Sequence, residues 1–137
     1  MTTSKLEWDE KYSVGVQQID NQHKKMFDTI NRLIELLASK PTQSDVDSIV
    51  KALVEYKQFH FKTEEDYFDK FNYEHKEEHK AKHREFNSKL VSLIDLYKED
   101  TIALAFSLVN FLEDWLIDHL MVEDQKYIEC FRAHGLK

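Results

Sequence analysis

Apolar residues recur at three- and four-residue intervals in four stretches of this chain, the spacing that gives an α-helix one buried face. The first stripe is Ile19, Met26, Phe27, Ile30, Leu33, Ile34 and Leu37, and it stops at the polar, proline-containing run SKPTQS at 39–44. The second runs through Val46, Ile49, Val50, Leu53, Tyr56, Phe61, Tyr67, Phe68 and Phe71. Ser44, with Asp47 three residues on, is its expected N-cap. A third pattern begins around Glu77 and continues through Phe86, Leu90, Leu93, Ile94 and Tyr97. After the break KEDT, a fourth follows through Ile102, Leu108, Val109, Leu112, Trp115 and Leu116, with Asp100 or Thr101 as its cap. Short connections make successive helices antiparallel neighbours, so the expected fold is an all-α, up-down-up-down antiparallel four-helix bundle. Residues 1–17 lack a helical period but carry Trp8, Tyr12, Val14 and Val16, which predicts an extended N-terminal arm laid over the bundle. The bundle itself spans 18–131, and 132–137 form a tail of the same single domain.

Polar residues interrupt these stripes where only apolar side chains belong. His23, His60, Glu64, His79, His83, His119 and Asp124 all fall on or directly after the inward faces. Burying an imidazole or carboxylate without a partner costs on the order of 2 kcal/mol or more, so a set of such violations needs a shared cause. One histidine of this kind is usually a hydrogen-bonded core residue; five, drawn from all four helices, point to a metal centre. His60 and Glu64 are four residues apart, about 40° around the axis and one turn along it. His79 and His83 repeat that spacing. His75 competes as a partner for His79, but the apolar continuation runs from His83 to Phe86, and His75 and His134 are expected to face solvent. On the fourth helix the acids after His119 are Glu123 and Asp124. Asp124 would lie roughly 140° from His119 on an ideal helix, so spacing alone favours Glu123.

At 137 residues the chain is long enough for one core and short for two. Two glycines and one proline suit a helical domain. The net charge of −7, with no basic run interleaved with aromatics, argues against nucleic acid as a partner. Cys130 is the single cysteine and cannot form an internal disulfide. The opening MTTSKLEWDEKY has no apolar signal core, and no uncharged run approaches the ~20 residues of a membrane span. A cytoplasmic monomer without membrane insertion is the expectation.

The residues IDNQH ending at His23, HFKTEE from His60, Tyr73 followed by HKAKH and Phe86, and WLIDHLMVED from Trp115 together resemble the hemerythrin family, specifically its bacterial single-domain members, over essentially the whole chain. The resemblance implies a non-haem di-iron centre that binds O2 reversibly. His23 and His60 would hold one iron and His79, His83 and His119 the other. Glu64 and Asp124 would bridge both irons beside an oxo or hydroxo group. If each iron prefers about six donors, the two-histidine iron keeps one vacancy for O2. The family pattern selects Asp124 over Glu123, which predicts a π-type widening between His119 and Asp124. Phe61, Trp115 and Leu116 would line the O2 pocket. Glu74 stands where related sequences commonly carry proline, a difference in the loop. The implied role is oxygen storage or delivery to an oxygen-consuming enzyme, with no catalysis by the chain itself. The alternatives are a di-iron redox enzyme with peroxidase, nitric-oxide or oxidase chemistry, or an iron store or sensor.

Overall fold

Each apolar stripe folds as one helix in the computed structural model, which describes residues 5–137; residues 1–4 of the expected arm lie outside the described residues. The helices are α1 (Gln17–Ala38), α2 (Gln43–Lys70), α3 (Lys76–Leu96) and α4 (Thr101–Asp118). α1 packs beside α2 and α4, and α3 packs beside the same two, so the four form an antiparallel up-down-up-down square. Past α4 the chain runs on through a π-helical segment, His119–Glu123, a 3₁₀ segment, Asp124–Tyr127, and the short α5 (Ile128–Ala133). No helix among the described residues is long and apolar enough to cross a membrane.

The helix ends follow local chemistry. The cap of α2 lies two residues before the Ser44 expected from sequence: Thr42 caps it, in a reciprocal box with Asp45. The Thr42 hydroxyl accepts from the Asp45 backbone N–H at 3.1 Å and the Asp45 carboxylate accepts from the Thr42 N–H at 3.1 Å. Two donors are satisfied at once, which a cap at Ser44 with Asp47 does not achieve here. Asp100 rather than Thr101 caps α4, accepting from the Ala103 N–H. At the end of α2, Asn72 takes a left-handed φ of 49°, a conformation asparagine tolerates. The Tyr73 N–H then donates back to the Phe68 carbonyl at 2.9 Å, which turns Tyr73 into the core.

The arm lies over the bundle as expected, with one 3₁₀ turn at Glu10–Tyr12. The Asn31 side chain on α1 clips it at both ends of one amide: it accepts from the Leu6 N–H at 2.7 Å and donates to the Leu6 carbonyl at 2.9 Å. Trp8, Tyr12 and Phe27 meet edge-to-face, with ring centroids 5.5 to 5.7 Å apart. Asp20 fixes the entry to α1 by accepting from the Ser13 hydroxyl and the Val14 N–H.

Two apolar clusters result. The larger runs through all four helices and includes Ile30, Leu33, Leu53, Phe86, Leu90, Leu108 and Leu112. The smaller, at the other end, gathers Val14, Val16, Ile19, Phe68, Tyr73, Tyr127 and Phe131. Each such side chain contributes about 1.5 to 3 kcal/mol on burial. Between the clusters lies a layer of buried polar groups.

Candidate metal centre

That layer contains His23, His60, Glu64, His79, His83, His119 and Asp124, each no more than 3% exposed. The helices deliver them as the stripes predict: His23 from α1, His60 and Glu64 from α2, and His79 and His83 from α3. The segment after α4 supplies His119 and Asp124. Donor atoms converge in two groups, Glu64 with His79, His83 and His119, and Glu64 with His23 and His60. Glu64 Oε1 belongs to both groups, 3.4 Å from His60 Nε2 and 3.1 Å from His83 Nε2. Asp124 reaches both halves with separate oxygens. Its Oδ1 lies 3.1 Å from His79 Nε2 and 2.9 Å from His119 Nε2, while Oδ2 lies 3.1 Å from His23 Nε2.

Sequence spacing and structure part ways at one point, and the backbone explains it. An α-turn from His119 would present Glu123; instead the Asp124 N–H donates to the His119 carbonyl, the five-residue step of a π-helix. That wider turn carries Asp124 into the cluster, fully buried. Glu123 is left to pair with Lys126 at 3.5 Å.

The inward donors fit a cation. His23 Nε2, His83 Nε2, Glu64 Oε1 and both Asp124 oxygens are buried without a hydrogen-bond partner, an arrangement proteins otherwise avoid. The ring nitrogens His79 Nε2 and His119 Nε2 face each other at 3.0 Å. Two nitrogens each about 2.1 Å from one ion and at right angles to each other lie about 3.0 Å apart. Imidazole and carboxylate donors suit iron and other first-row divalent ions.

Partners behind the donors orient them. The Gln22 amide oxygen lies 2.6 Å from His60 Nδ1, and the Gln22 amide nitrogen donates to the Thr63 hydroxyl. Glu65 accepts at His83 Nδ1, 2.7 Å away. The Tyr127 hydroxyl donates to Glu64 Oε2 at 2.6 Å. Burial holds the His60 imidazole down to about 3, so it is neutral at pH 7. Burial also opposes charge on His83, but the neighbouring Glu64 and Glu65 carboxylates outweigh it and lift the imidazole to about 9. For Asp124, burial is likewise outweighed, here by His119 and by the His23 and His79 imidazoles beside it, and the carboxyl sits well below its ordinary range.

Of the other residues marked in the sequence, Phe61 stacks flat on His83 at 3.8 Å and Trp115 stacks on His119 at 4.2 Å. Leu116 is buried in the larger apolar cluster with Phe61. His75 and His134 stay out of the centre: His75 lies near Glu74 and Glu78, and His134 stacks on Phe71. Replacing either with alanine is expected to leave bound metal per chain unchanged, as measured by elemental analysis; a loss of half the metal would contradict this. Gln22, Glu65 and Tyr127 were not apparent from the sequence. Gln22 carried the one usable signal, being another buried polar residue on the α1 stripe beside His23.

Fold and donor set together define a helix-bundle metal-binding protein with a buried histidine–carboxylate centre. Residues 14–131 match the model of the hemerythrin HHE cation binding domain. The chain belongs to the hemerythrin family. It is 31% identical over 129 residues to a bacteriohemerythrin of Clostridium acetobutylicum, covering 89% of this chain and 98% of that one. A hemerythrin-like protein of Naegleria gruberi is 31% identical over 124 residues, covering 90% and 92%. Among solved structures, wild-type hemerythrin superposes with a TM-score of 0.84 at 27% identity, covering 93% of this chain and 98% of that one.

Proposed function

We propose that this chain holds two iron ions and binds dioxygen reversibly, for oxygen storage or delivery. His23 and His60 would hold one iron, His79, His83 and His119 the other, and Glu64 and Asp124 would be shared between the two. The observation that carries this reading is the uneven split of inward donors, two imidazoles on one side and three on the other around shared carboxylates. Iron, when bound, supplies the electrons and the open coordination position that O2 requires.

The chain's own residues set the conditions. Buried His60 enters as a neutral donor, and Tyr127 fixes Glu64 by donating to its outer oxygen. Phe61, Trp115 and Leu116 keep water and outside reductants from the centre, as the face-to-face stacking of the two aromatics on ligand histidines supports. Two carboxylates against five imidazoles supply few anionic donors, which favours a carrier over a centre that drives iron to high oxidation states. The chain is therefore read as a carrier and not an enzyme.

Anaerobic reconstitution with Fe(II), followed by O2 titration under optical spectroscopy, tests this. The expected result is two irons per chain and a coloured adduct that bleaches on degassing and returns on re-exposure. Immediate irreversible oxidation with release of hydrogen peroxide would replace the carrier by a redox enzyme.

A further inference from the structure

The two halves of the centre rest on chemically different supports. Behind His60 stands a neutral amide and behind His83 a carboxylate, both on the outward ring nitrogen, Nδ1. The orientation of the amide follows from its neighbours. The Thr63 hydroxyl donates to the Phe59 carbonyl at 3.0 Å, so its oxygen is free to accept from the Gln22 NH2 group, which turns the amide oxygen toward His60. Gln22 is buried, whereas Glu65 is partly exposed on a cleft of about 320 Å³ that it shares with Lys57, Lys62 and Arg84. Both imidazoles thus point Nε2 inward and donate Nδ1–H outward.

A carboxylate that accepts this proton pulls it further from the ring than an amide does. The ring becomes a stronger electron donor at Nε2, and a stronger donor stabilises the more highly charged metal ion. From this difference we infer that Glu65 and Gln22 act as positioning residues that set the order of oxidation: the iron on the His79, His83 and His119 side gives up its electron first, and the iron on the His23 and His60 side stays ferrous longer. The first step is a simple electron transfer: one electron passes to a one-electron oxidant such as ferricyanide, which becomes ferrocyanide, no bond forms or breaks, and the Nδ1 proton stays in the His83–Glu65 hydrogen bond. The consequence is a single electrical polarity across the pair, with the easily oxidised iron on the side already filled by three histidines. This rests on the di-iron reading above.

Anaerobic titration of the ⁵⁷Fe-loaded protein with ferricyanide, followed by Mössbauer spectroscopy and potentiometry, tests it. Wild-type protein is expected to show two separate one-electron steps. Glu65→Gln should make the first step at least tenfold harder, a rise of about 59 mV for one electron, and leave the second in place. Gln22→Glu should make the second step at least tenfold easier and leave the first in place. The inference is overturned if neither variant moves its own step tenfold while two irons remain bound. A variant that moves the opposite step, or both steps alike, overturns it equally, because a merely structural role would do that. Fewer than two irons in the wild-type protein overturns the metal-centre reading, and this inference with it.

Discussion

Asp124→Ala is expected to cut bound iron from two per chain to fewer than one, while Glu123→Ala leaves both in place. One Asp124 oxygen faces His79 and His119 and the other faces His23, so this single side chain spans both halves of the centre. Among the described residues Glu64 and Asp124 are the buried carboxylates, and on the proposed reading the substitution removes one of the two that would offset four positive charges on two ferrous ions. Second-sphere changes alone typically weaken metal binding 10- to 100-fold, and loss of a carboxylate proposed to be shared by both ions should exceed the upper end of about 100-fold. Glu123 cannot take over, because the π-turn directs it toward Lys126. Elemental analysis after dialysis against a weak chelator measures the outcome. Two irons retained by Asp124→Ala, or lost by Glu123→Ala, would reverse the assignment.

Removing metal should convert a broad pH–stability profile into a peaked one. In the metal-free fold His60 is held down from 6.5 to about 3, because burial disfavours its charged form. The unfolded chain therefore takes up a proton that the folded chain refuses, and stability falls as pH drops below 6.5 toward 3. The slope is about 1.4 kcal/mol per pH unit for this one group. His83 is shifted the other way, to about 9, and its contribution is fully present below 6.5 and lost as pH rises through 9. The metal-free protein should be most stable near pH 6.5 and weaken on both sides. Ions bound to these imidazoles would hold each neutral at its donor nitrogen, so the loaded protein should exceed the metal-free form by about 4 kcal/mol per bound ion at free iron 1,000 times the dissociation constant. Urea unfolding across pH 4–9, with and without metal, reads both curves. A metal-free profile that climbs steadily from pH 6.5 to 9 would refute the His83 contribution.

Most of the architecture was legible because each stripe is long and its period unambiguous. The seven polar residues stood out against those stripes for the same reason: an imidazole at position 83, on the stripe that continues through Phe86 and Leu90, needs explanation, whereas one at position 134 in a polar tail does not. Local chemistry was harder to read. Both Thr42 and Ser44 satisfy the preference for a hydroxyl cap, and only the reciprocal bond to Asp45 decides between them. The π-turn was legible through the family pattern and not through periodicity, since an ideal helix favours Glu123. Glu65 and Tyr127 were invisible for a physical reason: they act outward from the donors, so their roles depend on which helix faces the far side of each ring. Glu65 looks like any acid on a solvated face until His83 is seen to point its Nδ1 toward it.

Because His23 and Asp124 come from near opposite ends of the chain, the centre also decides how the molecule breathes. Without ions, the 3₁₀ segment and α5 are short pieces tied to the bundle through the buried Tyr127 and Phe131 side chains, and their amides should exchange hydrogen faster than those in the middle of α1. With ions bound, lifting Asp124 away means releasing a ligand shared by both halves of the bundle. Local opening of the C-terminal segment is then coupled to opening of all four helices, and exchange protection there should rise toward that of the core.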